Sequence, residues 1–375
     1  MTCLTKIPYI NLSQQHAAMK DRLLKAVELV LDHGQFIFGP EVEAFEARFA
    51  RFCETKYAVG VGNGTDAIIL ALKAVGVQPG DEVITVANTF VSTVSSIVAV
   101  GAKPVFVDVQ DDYNIDARLI EKAVTKRTRA LLPVHLTGRP ADMDLIMRIA
   151  GKYNLKVVED CAQAVGAQFK GRKVGSFGDI GCFSLHPLKT LNACGDGGAI
   201  VTNDERAYQM CKVLHDNGMK NRSECVVWSS NSRLDTMQAA MLLVKLDFLE
   251  QWTQKRIENA KFYQKEFSKI DFIRFPVDQP YEKSVYHIFV LQVEQRDKLK
   301  DHLAEKGIGT KIHYPVPVHL QPAAHNLGYK KGDLPITEKQ SQCILSLPIY
   351  PELSRENLEY IIESVKEFYQ TKGQQ

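Results

Sequence analysis

The chain has 375 residues, of which 45% are hydrophobic and 24% are charged, as in an ordinary globular protein. Its 46 Lys and Arg residues nearly balance its 44 Asp and Glu residues, which excludes a strongly basic surface for nucleic acid or for an anionic membrane. The apolar runs, such as residues 95–100, are too short to span a bilayer, and the N-terminus has no pattern of a secretion signal. We therefore expect a cytoplasmic protein.

The cysteines are scattered along the chain, at Cys3, Cys53, Cys161, Cys182, Cys194, Cys211, Cys225 and Cys343. Their spacing matches neither a disulfide framework nor the paired short spacings of a zinc site. We expect reduced, mostly buried thiols and no metal ion.

Short β-branched runs alternate with helical patterns over the first 200 residues. Strands are predicted at 57–61, 82–86, 104–109, 130–135 and 156–160, with further strands ending at 184 and starting at 198. Helices are predicted at 67–75, 89–100 and 142–153. Strands that are apolar on both faces and separated by helices predict an α/β fold with a mostly parallel sheet covered on each side.

The pattern changes after residue 202, where helices are predicted at 204–215 and 235–249, the latter continuing through 254–267. A strand at 285–293, a helix at 296–306, a strand at 310–314 and a helix at 354–369 follow. These elements predict a large domain of residues 1–246, including an N-terminal segment, and a smaller α+β domain of residues 247–375.

A glycine-rich turn, Gly60-Val-Gly-Asn-Gly-Thr-Asp66, lies between a predicted strand and an apolar helix. Backbone amides at a helix N-terminus, with Thr65 and Asp66 as caps, would form an anion site suited to a phosphate. Taken alone, the glycines of this turn are explained at least as well by a structural role in connecting a strand to a helix as by phosphate binding. It has neither the lysine of a Walker loop nor the Rossmann spacing.

Two strand ends carry further candidate residues. Phe90 follows the strand at 82–86, at the edge where open α/β sheets bind ligands, and its ring could stack on a flat cofactor or belong to the core. Asp160 ends the strand at 156–160, with Gln163 three residues later. A buried carboxylate there needs a partner, such as a protonated ring nitrogen, unless it only caps a helix.

Lys189 lies in a loop between Ser184 and the turn Gly195-Asp-Gly-Gly198. A loop lysine is usually a solvated surface charge. However, a confined lysine with a carboxylate on a neighbouring strand is what pyridoxal phosphate (PLP) requires, because the amine binds the cofactor aldehyde and the acid holds the ring nitrogen protonated. The order of the turn, the aromatic residue, Asp160 and the lysine favours a PLP site.

These motifs, together with residues 36–43, 231–240 and 313–321, resemble the StrS/DegT-type PLP-dependent nucleotide-sugar aminotransferases from end to end. The resemblance implies the fold type I architecture of aspartate aminotransferase. It also implies a homodimer whose active sites lie at the dimer interface and are shared between the subunits.

The resemblance also implies roles for individual residues. Lys189 would bind the cofactor covalently, and Asp160 would pair with its ring nitrogen. The other cofactor-binding residues would be Gly64, Thr65, Asp66, Phe90, Gln163, Ser184 and Asn231, the last from the other subunit. The substrate pocket would include Phe36, Arg222, His313, Tyr314 and His319.

The function implied is transfer of an amino group from an amino acid, L-glutamate by family habit, to a keto group of a nucleotide-diphosphate deoxy sugar. The stretch from His313 to Gln321 favours a 3-keto over a 4-keto sugar. The amino sugar would serve a cell-surface polysaccharide, such as the O-antigen of lipopolysaccharide, or a glycoside.

Three alternatives remain open at this stage: a PLP- or pyridoxamine-dependent sugar dehydratase, a non-catalytic regulatory member of the fold, and a nucleotide-binding α/β protein without PLP. One dehydratase branch has histidine in place of the lysine, and Lys189 argues against that branch. Leu188 and Thr190 depart from the Thr/Ser and Asn that commonly flank the family lysine.

Overall fold

The computed structural model describes residues 7–370, and Cys3 lies outside them. The helices are α1 (Leu12–Ala17), α2 (Lys20–His33), α3 (Pro40–Phe52), α4 (Gly64–Ala74), α5 (Val91–Ala99), α6 (Ile120–Ala123), α7 (Met143–Tyr153), α8 (Glu205–Leu214), α9 (Thr236–Leu246), α10 (Leu249–Phe267), α11 (Arg296–Glu305), α12 (Pro335–Cys343) and α13 (Arg355–Gln370). The strands are β1 (Tyr57–Val61), β2 (Glu82–Val86), β3 (Lys103–Val107), β4 (Thr128–Leu131), β5 (Lys156–Asp160), β6 (Gln168–Phe169), β7 (Arg172–Lys173), β8 (Ile180–Ser184), β9 (Gly198–Thr202), β10 (Met219–Asn221), β11 (Glu224–Cys225), β12 (Ile273–Arg274), β13 (Glu282–Lys283), β14 (Phe289–Val293) and β15 (Ile344–Leu347).

A seven-stranded sheet with the order β1-β9-β8-β5-β4-β2-β3 forms the centre of the molecule. Its strands run parallel except β9, which is antiparallel to both β1 and β8. The predicted α/β fold with a mostly parallel sheet is confirmed. Asp160 pairs with Cys182 between β5 and β8, so these two strands end at the same edge of the sheet.

Helices cover both faces of this sheet, as the doubly apolar strands require. Helices α4 and α8 pack on one face, where Leu70 and Leu72 are fully buried. Helices α3 and α9 pack on the other, where Phe45 and Phe49 are fully buried. Each such side chain contributes about 1.5–3 kcal/mol through its burial.

The C-terminal part contains a second, antiparallel sheet with the order β12-β14-β15, packed against α10, α11 and α13. Ile7, near the N-terminus, pairs with Ile308 and belongs to the same apolar cluster. The helical pattern predicted as continuous over 235–267 is interrupted at Asp247 and Phe248, between α9 and α10. The domain boundary after residue 246 stays a prediction.

The predicted strand at 310–314 is wrong, because only Lys311 makes a bridge there, to Ser346. Strand β14 pairs with β15, a strand that the sequence patterns did not indicate. The strand predicted at 285–293 begins only at Phe289, because the amide of Val285 bonds to the carbonyl of Gly138.

The described cysteines are free, and no helix within residues 7–370 is long and apolar enough to cross a membrane. His135, Glu159 and Cys161 form a buried cluster of metal-ligand type. However, the Glu159 carboxylate accepts three amide hydrogen bonds of 2.7–2.8 Å from the loop at 175–178 and lies 3.0 Å from His135 Nε2. These contacts satisfy both oxygens, so the cluster is explained by its role in holding the loop.

Gly198 in β9 allows a close backbone approach, because a Cβ there would lie 2.4 Å from the carbonyl oxygen of Asn63. We expect Gly198→Ala to lower the free energy of unfolding by about 2–3 kcal/mol, measured by urea denaturation, because backbone atoms cannot give way. Gly151 in α7 is the matched control, since a Cβ there meets nothing within 4 Å. Gly151→Ala should stabilise by about 0.5–1 kcal/mol. Equal stabilities of Gly198→Ala and the wild type would contradict the proposed clash.

Candidate active site

A cavity of about 640 Å³ opens at the carboxyl edge of the large sheet, between that sheet and the C-terminal part. Ten of the predicted site residues line it: Gly64, Thr65, Asp66, Phe90, Asp160, Gln163, Ser184, Lys189, His313 and Tyr314. Residues far apart in sequence thus meet because parallel strands end together.

The N-terminus of α4 forms one wall of the cavity. The predicted caps Thr65 and Asp66 are wrong: Asn63 caps the helix, and its side chain accepts from the Asp66 amide at 2.9 Å. Within residues 7–370, the amides of Gly64 and Thr65 have no hydrogen-bond partner. A Cβ on Gly64 would lie 2.7 Å from Ser184 Cβ, so glycine lets the Ser184 side chain lie against these amides. The result is an anion cradle suited to a phosphate.

Asp66 contacts the protein on the same helix turn. Its Oδ2 accepts hydrogen bonds from Ser232 Oγ at 2.7 Å and from Asn63 Nδ2 at 3.0 Å. Ser232 Oγ in turn accepts from the Gly62 amide at 3.0 Å. These bonds hold the glycine-rich turn in place.

Asp160 lies almost fully buried at the end of β5. Its Oδ2 accepts a hydrogen bond from Thr93 Oγ1 at 2.8 Å, and its Oδ1 accepts from the Ala162 amide at 3.1 Å. Thr93 Oγ1 lies 2.7 Å from Thr89 Oγ1. The carboxylate is therefore held in one orientation, with both oxygens bonded, beside the cavity.

Phe90 and Gln163 lie on the cavity wall near Tyr314. Phe90 is 54% exposed, which excludes the core as its place, and its ring centroid lies 6.0 Å from that of Tyr314. Gln163 donates to the Tyr314 hydroxyl at 3.2 Å and accepts from the Thr137 amide at 2.7 Å. An exposed aromatic face beside an oriented amide can hold a flat polar ring.

Hydrogen bonds of its backbone fix the position of Lys189. Its amide donates to His186 O at 2.8 Å, and its carbonyl accepts from Asn192 Nδ2 at 3.0 Å. Asn192 is anchored by the buried amine of Lys245 on α9, which donates to its carbonyl at 2.9 Å and to its Oδ1 at 2.6 Å. Burial lowers the pKa of Lys189 to about 8, although the Asp160 carboxylate opposes the shift. Near neutral pH the amine is therefore far more often unprotonated, and nucleophilic, than an exposed lysine.

His319 does not line the cavity of the described residues, and its place in the substrate pocket stays a prediction. Its side chain is fully buried, with Nε2 3.1 Å from Glu338 Oε1. Phe36, Arg222 and Asn231 are exposed on the surface outside the cavity. Their contribution across a dimer stays a prediction.

Other cavity residues were missed, among them Tyr9, Thr93 and His287. His287 interrupts the apolar run at 285–293, which was a usable signal. Tyr9 had none, because it reaches the site from the N-terminus. His313 Nδ1 lies 2.9 Å from Ser346 Oγ, and burial lowers the pKa of His313 to about 4.

Known proteins are similar along nearly the whole chain. A pleiotropic regulatory protein of Geobacillus stearothermophilus is 43% identical over 97% of this chain and 98% of its own length. A dTDP-3-amino-3,4,6-trideoxy-alpha-D-glucose transaminase of Streptomyces venezuelae is 42% identical, covering 97% and 96%. The structure of S. venezuelae DesV in complex with a ketimine intermediate superposes with a TM-score of 0.95 at 42% identity, covering 97% and 98%.

The sequence profile of the DegT/DnrJ/EryC1/StrS aminotransferase family matches residues 17–366. The resemblance inferred from the motifs is confirmed, and so is the fold that it implied. The chain belongs to the DegT/DnrJ/EryC1/StrS aminotransferase family.

Proposed function

We propose that this protein is a PLP-dependent aminotransferase that transfers an amino group from an amino acid to the keto group of a nucleotide-linked sugar. One observation carries the proposal: Lys189, whose pKa is lowered by burial, shares a cavity with the Asp160 carboxylate and an anion cradle at the start of α4. Membership of the family supports it.

The residues present fit pyridoxal phosphate. The free amides of Gly64 and Thr65, with the Ser184 hydroxyl, would hold its phosphate. Phe90 would lie on the ring face, and Asp160 would hold the proton on the ring nitrogen. When bound, the cofactor supplies an electron-accepting ring that stabilises negative charge at the reacting carbon.

Lys189 is the group that moves protons. In the first half of the reaction its Nζ would take the proton from the α-carbon of the amino acid, and in the second half it would return a proton to the sugar carbon. Burial suits this role, because it keeps the amine poised between its two protonation states near neutral pH. Apolar side chains such as Ile68, Val134 and Ile349 in the cavity wall exclude water from these steps.

We propose a 3-keto sugar as acceptor and L-glutamate as donor, with a product destined for a cell-surface polysaccharide or a glycoside. The name of the Streptomyces relative, which places the amino group at C3, supports the position. The stretch from His313 to Gln321, part of which lines the cavity, favours the same position.

The charges of the cavity wall support the proposal of a homodimer with a shared active site. Among the described lining residues, Lys189 is the one lysine, no arginine occurs, and the carboxylates are Asp66, Asp160 and Asp196. A diphosphate requires more cationic partners than this wall provides. The exposed hairpin β10–β11 carries Arg222, and we propose that it supplies them from the partner subunit, together with Asn231 and Phe36.

A regulatory role is the second candidate, because the Geobacillus relative is named as a regulatory protein. The complete set of Lys189, Asp160 and the anion cradle in one cavity favours catalysis. The same set is compatible with a dehydratase, which would release water and incorporate no amine.

The pKa of Lys189 predicts a pH profile for cofactor capture. Since only the unprotonated amine reacts, the rate at which cofactor-free enzyme binds PLP covalently should rise about tenfold per pH unit below pH 8 and level off above it. Stopped-flow absorbance measures this rate.

Lys189→Ala should neither capture the cofactor nor transaminate, whereas Lys255→Ala, a substitution of an exposed lysine, should behave as wild type. Transamination by Lys189→Ala would refute the assignment.

Asp160→Asn tests the carboxylate. The variant should still bind PLP through Lys189, but its kcat should fall at least about 100-fold, because an amide does not hold the ring nitrogen protonated. Absorbance spectra and steady-state rates measure both quantities. The exposed Asp301→Asn is the control and should keep full activity. A kcat of Asp160→Asn close to the wild-type value would contradict the proposed role.

The two half-reactions identify the substrates. L-Glutamate should convert the PLP form of the enzyme into its pyridoxamine form, and a panel of dTDP- and UDP-linked 3-keto and 4-keto sugars should then be offered. We expect a 3-keto sugar to restore the PLP spectrum fastest, with the amino sugar identified by mass spectrometry. Faster recovery with a 4-keto sugar would correct the position, and water loss without amine incorporation would indicate a dehydratase.

A further inference from the structure

His287 lines the cavity, yet neither ring nitrogen has a partner among the described residues. Its Nδ1 is buried without a hydrogen bond, which leaves Nε2 as the ring nitrogen available to the cavity that the side chain lines. A buried polar atom without a partner is costly and rare in folded proteins. The His287 side chain therefore contributes no side-chain hydrogen bond to the fold of the described residues.

The backbone before His287 is strained. Tyr286 has a φ of +48°, in the left-handed region that a bulky residue rarely adopts. Its hydroxyl is held in place by hydrogen bonds to Asp278 at 2.9 Å and from Gln264 at 3.2 Å. Such strain persists only where surrounding contacts enforce it, and it clusters at functional sites.

Arg256 on α10 anchors the backbone of the segment that contains Tyr286 and His287. Its buried Nη1 donates to the carbonyls of Tyr286 at 3.3 Å, His287 at 3.4 Å and Ile349. Three carbonyls on two segments thus converge on one buried cation. Strain and anchoring together fix the direction in which the His287 ring points.

The surroundings keep the imidazole neutral. Burial lowers the pKa of His287 well below its usual value, and the positive charges of Lys189 and Arg256, with His313 and His186, act in the same direction. A neutral imidazole carries one proton, and with that proton on Nε2 the nitrogen available to the cavity is an uncharged hydrogen-bond donor.

An uncharged donor fits some parts of the two substrates better than others. The carboxylates of an amino acid and the diphosphate of a nucleotide are bound most strongly by cations. A hydroxyl or carbonyl oxygen of a sugar is a neutral acceptor and matches a neutral imidazole. The cavity, at about 640 Å³, has room for a sugar beside the cofactor.

We propose that His287 is a further substrate-binding residue, whose Nε2–H donates a hydrogen bond to a hydroxyl or carbonyl oxygen of the sugar next to Lys189. This proposal rests on the proposed aminotransferase function and adds a determinant of sugar specificity to it. A site built to bond a particular hydroxyl discriminates strongly against sugars that lack it.

Two variants of similar size distinguish the loss of the hydrogen-bond donor from the loss of side-chain volume. In His287→Gln the side-chain amide can place its N–H where Nε2 stands, whereas in His287→Asn it reaches only the buried position of Nδ1. We expect kcat/KM of the sugar half-reaction to fall about 10-fold or more in His287→Asn and to stay within about 3-fold of wild type in His287→Gln. The substrate is the panel sugar that reacts fastest with the wild type.

The glutamate half-reaction and the PLP spectrum are the internal controls and should change less than about 2-fold in both variants. His325→Asn, an exposed histidine outside the cavity, is the matched control and should leave both half-reactions unchanged. Equal losses in both half-reactions, or an unchanged sugar half-reaction in His287→Asn, would overturn the assignment of His287. A wild-type enzyme that reacts with neither glutamate nor any sugar would instead overturn the proposed function, and this proposal with it.

Discussion

The site depends on the competition between burial and charge at Lys189. Removal from water disfavours the ammonium form and lowers its pKa to about 8, while the nearby Asp160 carboxylate favours that form. Burial is the stronger of the two effects, and the lowered pKa lets the amine act both as a nucleophile and as a proton carrier near neutral pH. The balance requires that the two side chains keep their positions, which explains why each is held by a specific network: Asn192 and Lys245 for the lysine loop, Thr93 for the carboxylate.

Two buried cations hold segments of the cavity wall, and neither has a carboxylate partner at hydrogen-bond distance within residues 7–370. Lys245 on α9 bonds to the backbone and side chain of Asn192, and Arg256 on α10 bonds to carbonyls on both sides of His287. A buried cation bonded to carbonyl oxygens fixes a backbone strongly, because loss of any partner leaves a charge unsatisfied in a medium of low dielectric constant. The lysine loop and the segment of His287 are therefore positioned by residues that do not line the cavity.

The chemistry of the cavity wall bears on which parts of the proposed substrate one chain can bind. The wall of one chain offers neutral donors and aromatic or apolar surface, which suit a cofactor ring and a sugar. It offers little positive charge for a diphosphate. We infer that the charged part of the substrate is bound by the exposed hairpin of a second subunit, whereas the reacting sugar carbon is positioned by the chain that holds Lys189.

The sequence by itself determined the strands of the large sheet, the glycine-rich turn and the pair of Asp160 and Lys189, because hydrophobic period, strand ends and turn residues are local signals. It did not indicate the strand β15 beside β14, and it did not identify Asn63 as the cap of α4. It also did not indicate that Glu338 holds His319 in the interior, and it did not single out His287. The pairing of β15 and the burial of His319 depend on which distant segment supplies the hydrogen-bond partner of a buried group, and only the tertiary structure decides that.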